Sequence, residues 1–162
     1  DKLVYRGILF FGLMITPKGP YVIEYNVRFG DPECQTLLRN LQTDILKIID
    51  YNLKDKLSDL TIRNKKQSVV CVVVASKGYP DNYKKGKIIE NISKAQSIYG
   101  VEIFHSGTAL KKNKIVSSGG RVLAITSQAD SIFRARKMAY KAIALIDWKE
   151  GVFRNDIGKK NI

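Results

Sequence analysis

The chain has 162 residues, 44% of them hydrophobic, and a formal net charge of +13. That length and apolar content give it a core, as one domain or two small ones, and exclude wholesale disorder. No apolar run reaches the roughly 18 residues of a membrane span, and the segment Ile8–Ile15 is apolar but short. There is no start methionine and no signal-peptide pattern, and the sequence opens almost at once into strand-like residues, so a fragment with further segments elsewhere is expected. Cys34 and Cys71 fit neither a disulfide framework nor a zinc site. Both are expected as small core residues, and a reducing cytoplasm is the default compartment.

The positive charge concentrates anions near the chain. Its lysines fall in short clusters, Lys65–Lys66, Lys84–Lys85–Lys87, Lys111–Lys112–Lys114 and Lys159–Lys160, beside expected loops, and read as solvated surface. A basic nucleic-acid-binding module stays open as an alternative. It would interleave arginine and aromatic residues along one face.

Leu3–Thr16 reads as a strand, Pro17–Pro20 as a turn and Tyr21–Val27 as a second strand, together a hairpin. Arg28–Glu33 is a polar loop. From Cys34 to about Leu53, Leu37, Leu38, Leu41, Ile45, Ile48 and Ile49 recur at helical spacing, with Asp31 as expected N-cap and Pro32 as first helical residue. A domain boundary is expected near residue 64, in the polar stretch 54–67. Ser68–Ala75 is a continuous apolar run suited to a buried strand. A loop over Lys77–Gly86 precedes a short strand at Lys87–Glu90. Strands are then expected at Gly100–Leu110, Ile115–Val116 and Arg121–Thr126, followed by a helix over Ala129–Ile146 and an irregular tail. No internal repeat is visible.

The chemistry concentrates after the hairpin. Glu24 and Asn26 sit two apart on one strand, so they share a face, about 7 Å apart along the backbone. Ile23, Tyr25 and Val27 are expected to point the other way, into a core. A carboxylate and an amide oxygen aimed at one space can share a cation, and magnesium takes few protein oxygens, leaving the rest to water and phosphates. Arg28 offers a planar fork for phosphate or carboxylate. Gly30 lets backbone approach a ligand, and a helix starting near Pro32 attracts an anion. Alone, Glu24-x-Asn26 also fits an edge strand with a solvated face.

The whole run Glu24-Tyr25-Asn26-Val27-Arg28-Phe29-Gly30-Asp31-Pro32-Glu33 resembles the magnesium and substrate loop of ATP-grasp ligases. Its Arg-Phe-Gly-Asp-Pro-Glu form is similar to that of the phosphoribosylamine–glycine ligase family. Tyr5-Arg6-Gly7 leading to Gly12-Leu13-Met14, Gly78-Tyr79-Pro80 with Lys85-Gly86, Phe104-His105-Ser106-Gly107-Thr108, Ser118-Gly119-Gly120-Arg121-Val122-Leu123 and Arg154-Asn155-Asp156-Ile157-Gly158 agree with that family in order and spacing. The resemblance spans essentially the whole chain.

It implies an α+β fold: residues 1–63 as the C-terminal part of an ATP-grasp domain, antiparallel strands plus helix, then residues 64–162 as a small, mainly antiparallel β domain with a packed helix. It implies glycine, 5-phosphoribosylamine and ATP as substrates, magnesium or manganese as metal, and a cytoplasmic enzyme of purine biosynthesis. The reaction is a ligation through glycyl phosphate, giving glycinamide ribonucleotide, ADP and phosphate. Glu24 and Asn26 become metal ligands. Arg28 contacts a phosphate or the acyl phosphate, with Gly30 beside it, and Asp31 and Glu33 orient the amine. The family's preceding segments become partners, with no specific nucleic acid and no membrane, and monomer and homodimer both stay open. Many relatives in the wider superfamily carry another metal-binding carboxylate on the preceding strand, and none lies between Gly7 and Ile15 here. Another ATP-grasp carboxylate–amine ligase is the alternative enzyme.

His105, the one histidine, is as readily a hydrogen-bonded structural residue as a functional one. Gly119-Gly120-Arg121 reads equally as a phosphate-facing turn or a tight turn. Gly78-Tyr79-Pro80 reads as turn geometry. Arg154 and Asp156 are expected to form an ion pair that pins the tail.

Overall fold

The computed structural model describes residues 4–159. The expected strand start at Leu3 lies outside them. The fold mixes helices with antiparallel sheets and divides into two compact units, residues 1–65 and 66–162, so the α+β expectation holds.

The first unit begins with a hairpin of β1 (Phe10–Thr16) and β2 (Gly19–Asn26). Pro17 and Lys18 form a two-residue turn, and Gly19 takes φ +109° after it, a value that suits a residue without a Cβ. The Thr16 hydroxyl accepts from the Lys18 amide at 3.1 Å and donates to the Gly19 carbonyl at 3.0 Å. Helices α1 (Glu33–Asn40) and α2 (Ile45–Leu53) follow. The single helix expected over Cys34–Leu53 is therefore two. Leu41 is extended at ψ 129°, and the amides of Gln42 and Thr43 both donate to the Arg63 carbonyl, at 2.9 and 3.2 Å. Asp44 then caps α2 through the Leu46 amide at 2.8 Å. An Asp at an N-cap competes with helix continuation, and helical periodicity runs through such a break undisturbed. Pro32 rather than Asp31 precedes α1, with no side-chain cap.

Among the described residues of this unit, only Gly30 is buried. Ile23, Tyr25 and Val27 are 63%, 61% and 72% exposed, so the expectation that they enter a core is corrected. Among the described residues of this unit no apolar layer buries them. Phe11 and Tyr25 pack edge to face at 5.1 Å. A sheet of two strands without a covering layer opens easily. Amides of β1 and β2 in the 162-residue chain are expected to exchange with deuterium at least ~10-fold faster than those of the core strands of the second unit. Hydrogen-exchange mass spectrometry checks this.

The second unit is a four-stranded antiparallel sheet. Its strands are β3 (Ser68–Ser76), β4 (Val101–His105), β7 (Arg121–Ala129) and β8 (Gly151–Val152), in the order β4-β7-β3-β8. A side hairpin joins β5 (Thr108–Lys111) to β6 (Lys114–Ser117). Helix α3 (Ile92–Gln96) and helix α4 (Ile132–Leu145) complete it. Val70, Val72 and Val74 alternate on β3 and are buried with Ile103, Ile125, Ala135, Ala139 and Ala142. The small alanines recur every three or four residues on α4, which lets the helix sit close to the sheet. Ser131 caps α4 by accepting from the Arg134 amide. Cys71, like Cys34, is half-buried.

Several expectations change here. Gly100–Leu110 is two strands broken at Ser106–Gly107, Lys87–Glu90 makes only isolated bridges to Val116 and Asp147, and the tail contains β8. Helix α3 was missed because it is one turn long and lacks a periodic pattern.

Arg154 and Asp156 do pair, at 2.9 and 2.6 Å. These residues lie two apart, however, and the anchoring of the tail comes from α4. Tyr140 donates its hydroxyl to the Arg154 carbonyl at 2.7 Å and accepts from the Ile157 amide at 3.2 Å. Arg136 donates to the carbonyls of Ile157 and Asn155 at 3.0 and 2.7 Å, with its guanidinium 4.8 Å from the Tyr140 ring. Tyr140→Phe removes both hydroxyl bonds and is expected to cost about 1–2 kcal/mol, read from urea unfolding followed by fluorescence. Trp148, the single tryptophan, is buried at 8% exposure in this unit, so its emission reports on this unit alone.

Candidate metal and phosphate site

The candidate site is built on the last residues of β2 and the turn into α1. Gly12 faces Glu24 and Phe10 faces Asn26 across the hairpin. Both residues thus lie within the paired strand and, two apart, on one face. A register shift between Gly12 and Leu13 lies ahead of the pair and leaves this alternation intact. Gly12 has a specific task, because a Cβ there would come within 3.0 Å of the Glu24 Cγ. The bare glycine lets the Glu24 stem lie across the neighbouring strand. Sequence reasoning missed this role, although a glycine inside a strand is itself a signal of close approach.

Beyond Asn26 the chain turns. The exposed Arg28 donates from Nη1 to the Phe29 carbonyl at 2.8 Å. Gly30 is buried, its carbonyl accepting from the Cys34 amide at 2.9 Å. A Cβ on Gly30 would fall 2.0 Å from Glu33 Oε2, so the Glu33 carboxylate lies folded against the Gly30 backbone. Asp31 accepts from Gln35 Nε2 at 3.2 Å. Asp31 and Glu33 thus engage their own turn, while Glu24 and Asn26 project from the strand before it. Burial, and then the Asp31 charge, push the Cys34 thiol above its ordinary value. That keeps it protonated and unsuited to nucleophilic work.

Among the described residues no three His, Cys, Asp or Glu side chains gather as a metal cage. Glu24 and Asn26 offer two hard oxygen donors. That set fits a magnesium-type ion completed by phosphate and water and does not fit zinc, which takes nitrogen and sulfur.

The other motif segments make contacts within the fold. Arg6 forms a two-pronged ion pair with Asp55, one arm being Nε to Oδ1 at 2.8 Å. The guanidinium holds the Asp55 carboxyl below its usual range. His105 is exposed and shares a 2.9 Å hydrogen bond between Nδ1 and the Thr108 hydroxyl. Gly107 and Gly119 pack backbone on backbone. The amides of Ser118 and Gly119 donate to the Gly107 carbonyl at 2.8 and 3.1 Å, and a Cβ on Gly107 would stand 2.4 Å from the Arg121 carbonyl oxygen. A Cβ on Gly120 would enter the Tyr79 ring at 2.1 Å. The glycines of two separate motifs are thus explained by contact with one another and with the Gly78-Tyr79-Pro80 turn.

Residues 69–160 match the phosphoribosylglycinamide synthetase C-domain family, and residues 1–34 match the ATP-grasp (A) domain of the same synthetase. The chain belongs to the phosphoribosylglycinamide synthetase family. It is 50% identical over 154 residues to the phosphoribosylamine–glycine ligase of Brucella melitensis, covering 95% of this chain and 36% of that one. It is 46% identical over 158 residues to the chloroplastic phosphoribosylamine–glycine ligase of Arabidopsis thaliana, covering 95% and 30%. It is 43% identical over 159 residues to the human trifunctional purine biosynthetic protein adenosine-3, covering 98% and 16%. The crystal structure of phosphoribosylamine–glycine ligase from Thermotoga maritima superposes with a TM-score of 0.77 at 31% identity, over 92% of this chain and 36% of that one. The chain therefore spans about a third of the length of the Brucella, Arabidopsis and Thermotoga ligases.

Proposed function

We propose that the complete protein ligates glycine to 5-phosphoribosylamine at the expense of ATP, and that this chain supplies the metal-binding strand and the C-terminal domain. The observation that carries this reading is the placement of Glu24 and Asn26 on one face of β2, immediately before the Arg28 turn. In this reading residues 1–63 are the end of the ATP-grasp domain and residues 64–162 the C-terminal domain. The segments that complete the ATP-grasp domain cover the apolar hairpin faces. The compartment is the cytoplasm.

Glu24 and Asn26 would hold magnesium, or manganese in its place, which when bound neutralises phosphate charge. Arg28 is exposed and close to that face in sequence. It places its fork on the transferred phosphate or the glycyl phosphate. Gly30 is covered here by the Glu33 carboxylate, so its backbone meets the phosphate only as Glu33 swings aside, and Glu33 with Asp31 orients the incoming amine. The glycine carboxylate attacks the γ-phosphate of ATP, releasing ADP. The amine then attacks the acyl carbon and phosphate leaves.

The test is direct assay of the complete protein for ADP and glycinamide ribonucleotide from ATP, glycine and 5-phosphoribosylamine. The 162-residue chain by itself is expected to give no turnover, because it covers only 36% of its relatives' length and the ATP-grasp match reaches only residue 34. Turnover by this chain alone would overturn the division of labour. Faster use of a different carboxylic acid by the complete protein would favour another ATP-grasp ligase.

A further inference from the structure

Gln35 sits in the first turn of α1, one helical turn after Asp31, and is half-buried. Its amide is used on one side only. Nε2 donates to Asp31 Oδ1 at 3.2 Å. Oε1 is shielded from solvent and, among the described residues, has no hydrogen-bond partner. Turning the amide over gains nothing, because it sets Oε1 against a carboxylate, which when ionised only accepts.

A shielded carbonyl oxygen that has lost water without gaining a donor weakens the fold. The bond on the other side of the amide offsets little of this. Asp31 is exposed, so water can serve its carboxylate in place of Gln35, and a Gln–Asp pair at this spacing steadies a helix only slightly. Methionine is about as long, favours a helix about as strongly and carries no carbonyl oxygen that needs a donor. For folding alone, methionine fills the position better. A polar group held against the interest of the fold marks a functional constraint.

What the amide gains is control of Asp31. An exposed aspartate turns about both its side-chain bonds. A donor fixed on the following helix turn holds one carboxylate oxygen in place. The donor is also neutral. It orients the carboxylate without cancelling its charge, as a lysine or arginine would. Asp31 therefore keeps its attraction for an amine and loses its freedom to point elsewhere.

We propose that Gln35 is a positioning residue for the second step of the ligation, holding Asp31 in the orientation in which its carboxylate receives the amine. It takes no part in forming the acyl phosphate. This rests on the role proposed above for Asp31 and adds the residue that acts through it.

The test uses the complete protein carrying Gln35→Met and reads the two steps apart. Coupling is followed as glycinamide ribonucleotide formed from 5-phosphoribosylamine. The first step is followed with hydroxylamine in place of that amine, which turns glycyl phosphate into glycine hydroxamate and phosphate. In Gln35→Met, kcat/KM for 5-phosphoribosylamine is expected to fall by about tenfold or more, with hydroxamate formation and the KM values for ATP and glycine within about twofold of wild type. The variant is expected to melt no lower than wild type. Adding Gln35→Met to Asp31→Ala is expected to change coupling by less than about twofold. Unchanged coupling, equal losses in both steps, or a further loss on top of Asp31→Ala would each overturn the positioning role. A Gln35→Met protein that melts lower or fails to fold would do the same, since the amide would then serve the helix. A wild-type protein that forms neither product would instead remove the ligase reading on which the role rests.

Discussion

Replacing Glu24 with glutamine in the complete protein is expected to lower the rate of ADP formation by about 100-fold or more. The change keeps the size of the side chain and removes one negative charge from the oxygen pair that would hold magnesium. Glu24 is exposed on the hairpin and its stem rests over Gly12, so the glutamine has the same place to lie and the fold is retained. Asn26→Ala removes the second oxygen and is expected to act in the same direction, with a higher magnesium concentration needed for half-maximal rate in both variants. A double variant should lose little more than the worse single one, since two ligands of one ion act as a unit. Wild-type rates and wild-type magnesium dependence in both single variants would remove the metal assignment.

Gly107→Ala is expected to destabilise the second unit by about 3 kcal/mol. The added Cβ would stand 2.4 Å from the Arg121 carbonyl oxygen and 2.9 Å from the Gly119 Cα. Both are backbone atoms, one of them at the start of the central strand β7, and neither can rotate aside as a side-chain end would. Gly86→Ala makes a useful contrast. Gly86 takes φ +78° but a Cβ there meets nothing within 4 Å. Its cost is conformational alone, about 1 kcal/mol. Urea unfolding followed through Trp148 measures both. A Gly107→Ala midpoint at or above that of Gly86→Ala would mean that the two glycine motifs are not held by backbone contact.

Much of the fold was legible in the residues. The hairpin followed from two β-rich runs around Pro17-Lys18-Gly19, and β3 from the run Val69–Ala75. Helix α4 followed from the spacing of Ala135, Ala139 and Ala142. The break between α1 and α2 was not legible, since Leu41 and Ile45 keep the helical spacing across it while the Arg63 carbonyl, twenty residues on, captures the amides of Gln42 and Thr43. The outward direction of Ile23, Tyr25 and Val27 was equally hidden. Alternation predicts a shared face, but Ile23 falls at the register shift and Val27 beyond the end of β2, and only the surrounding layers fix whether a face is covered.

The site divides along the same line. Residue types and spacing alone determined that Glu24 and Asn26 point together and that an arginine and a glycine-containing turn follow, because side-chain alternation along a strand is a local property of the backbone. The tertiary structure decided what the glycines do. Gly12 makes room for Glu24, Gly107 meets Gly119 and Gly120 meets Tyr79. Close approach depends on which distant segments the folded chain brings within a few ångströms, and no local pattern encodes that.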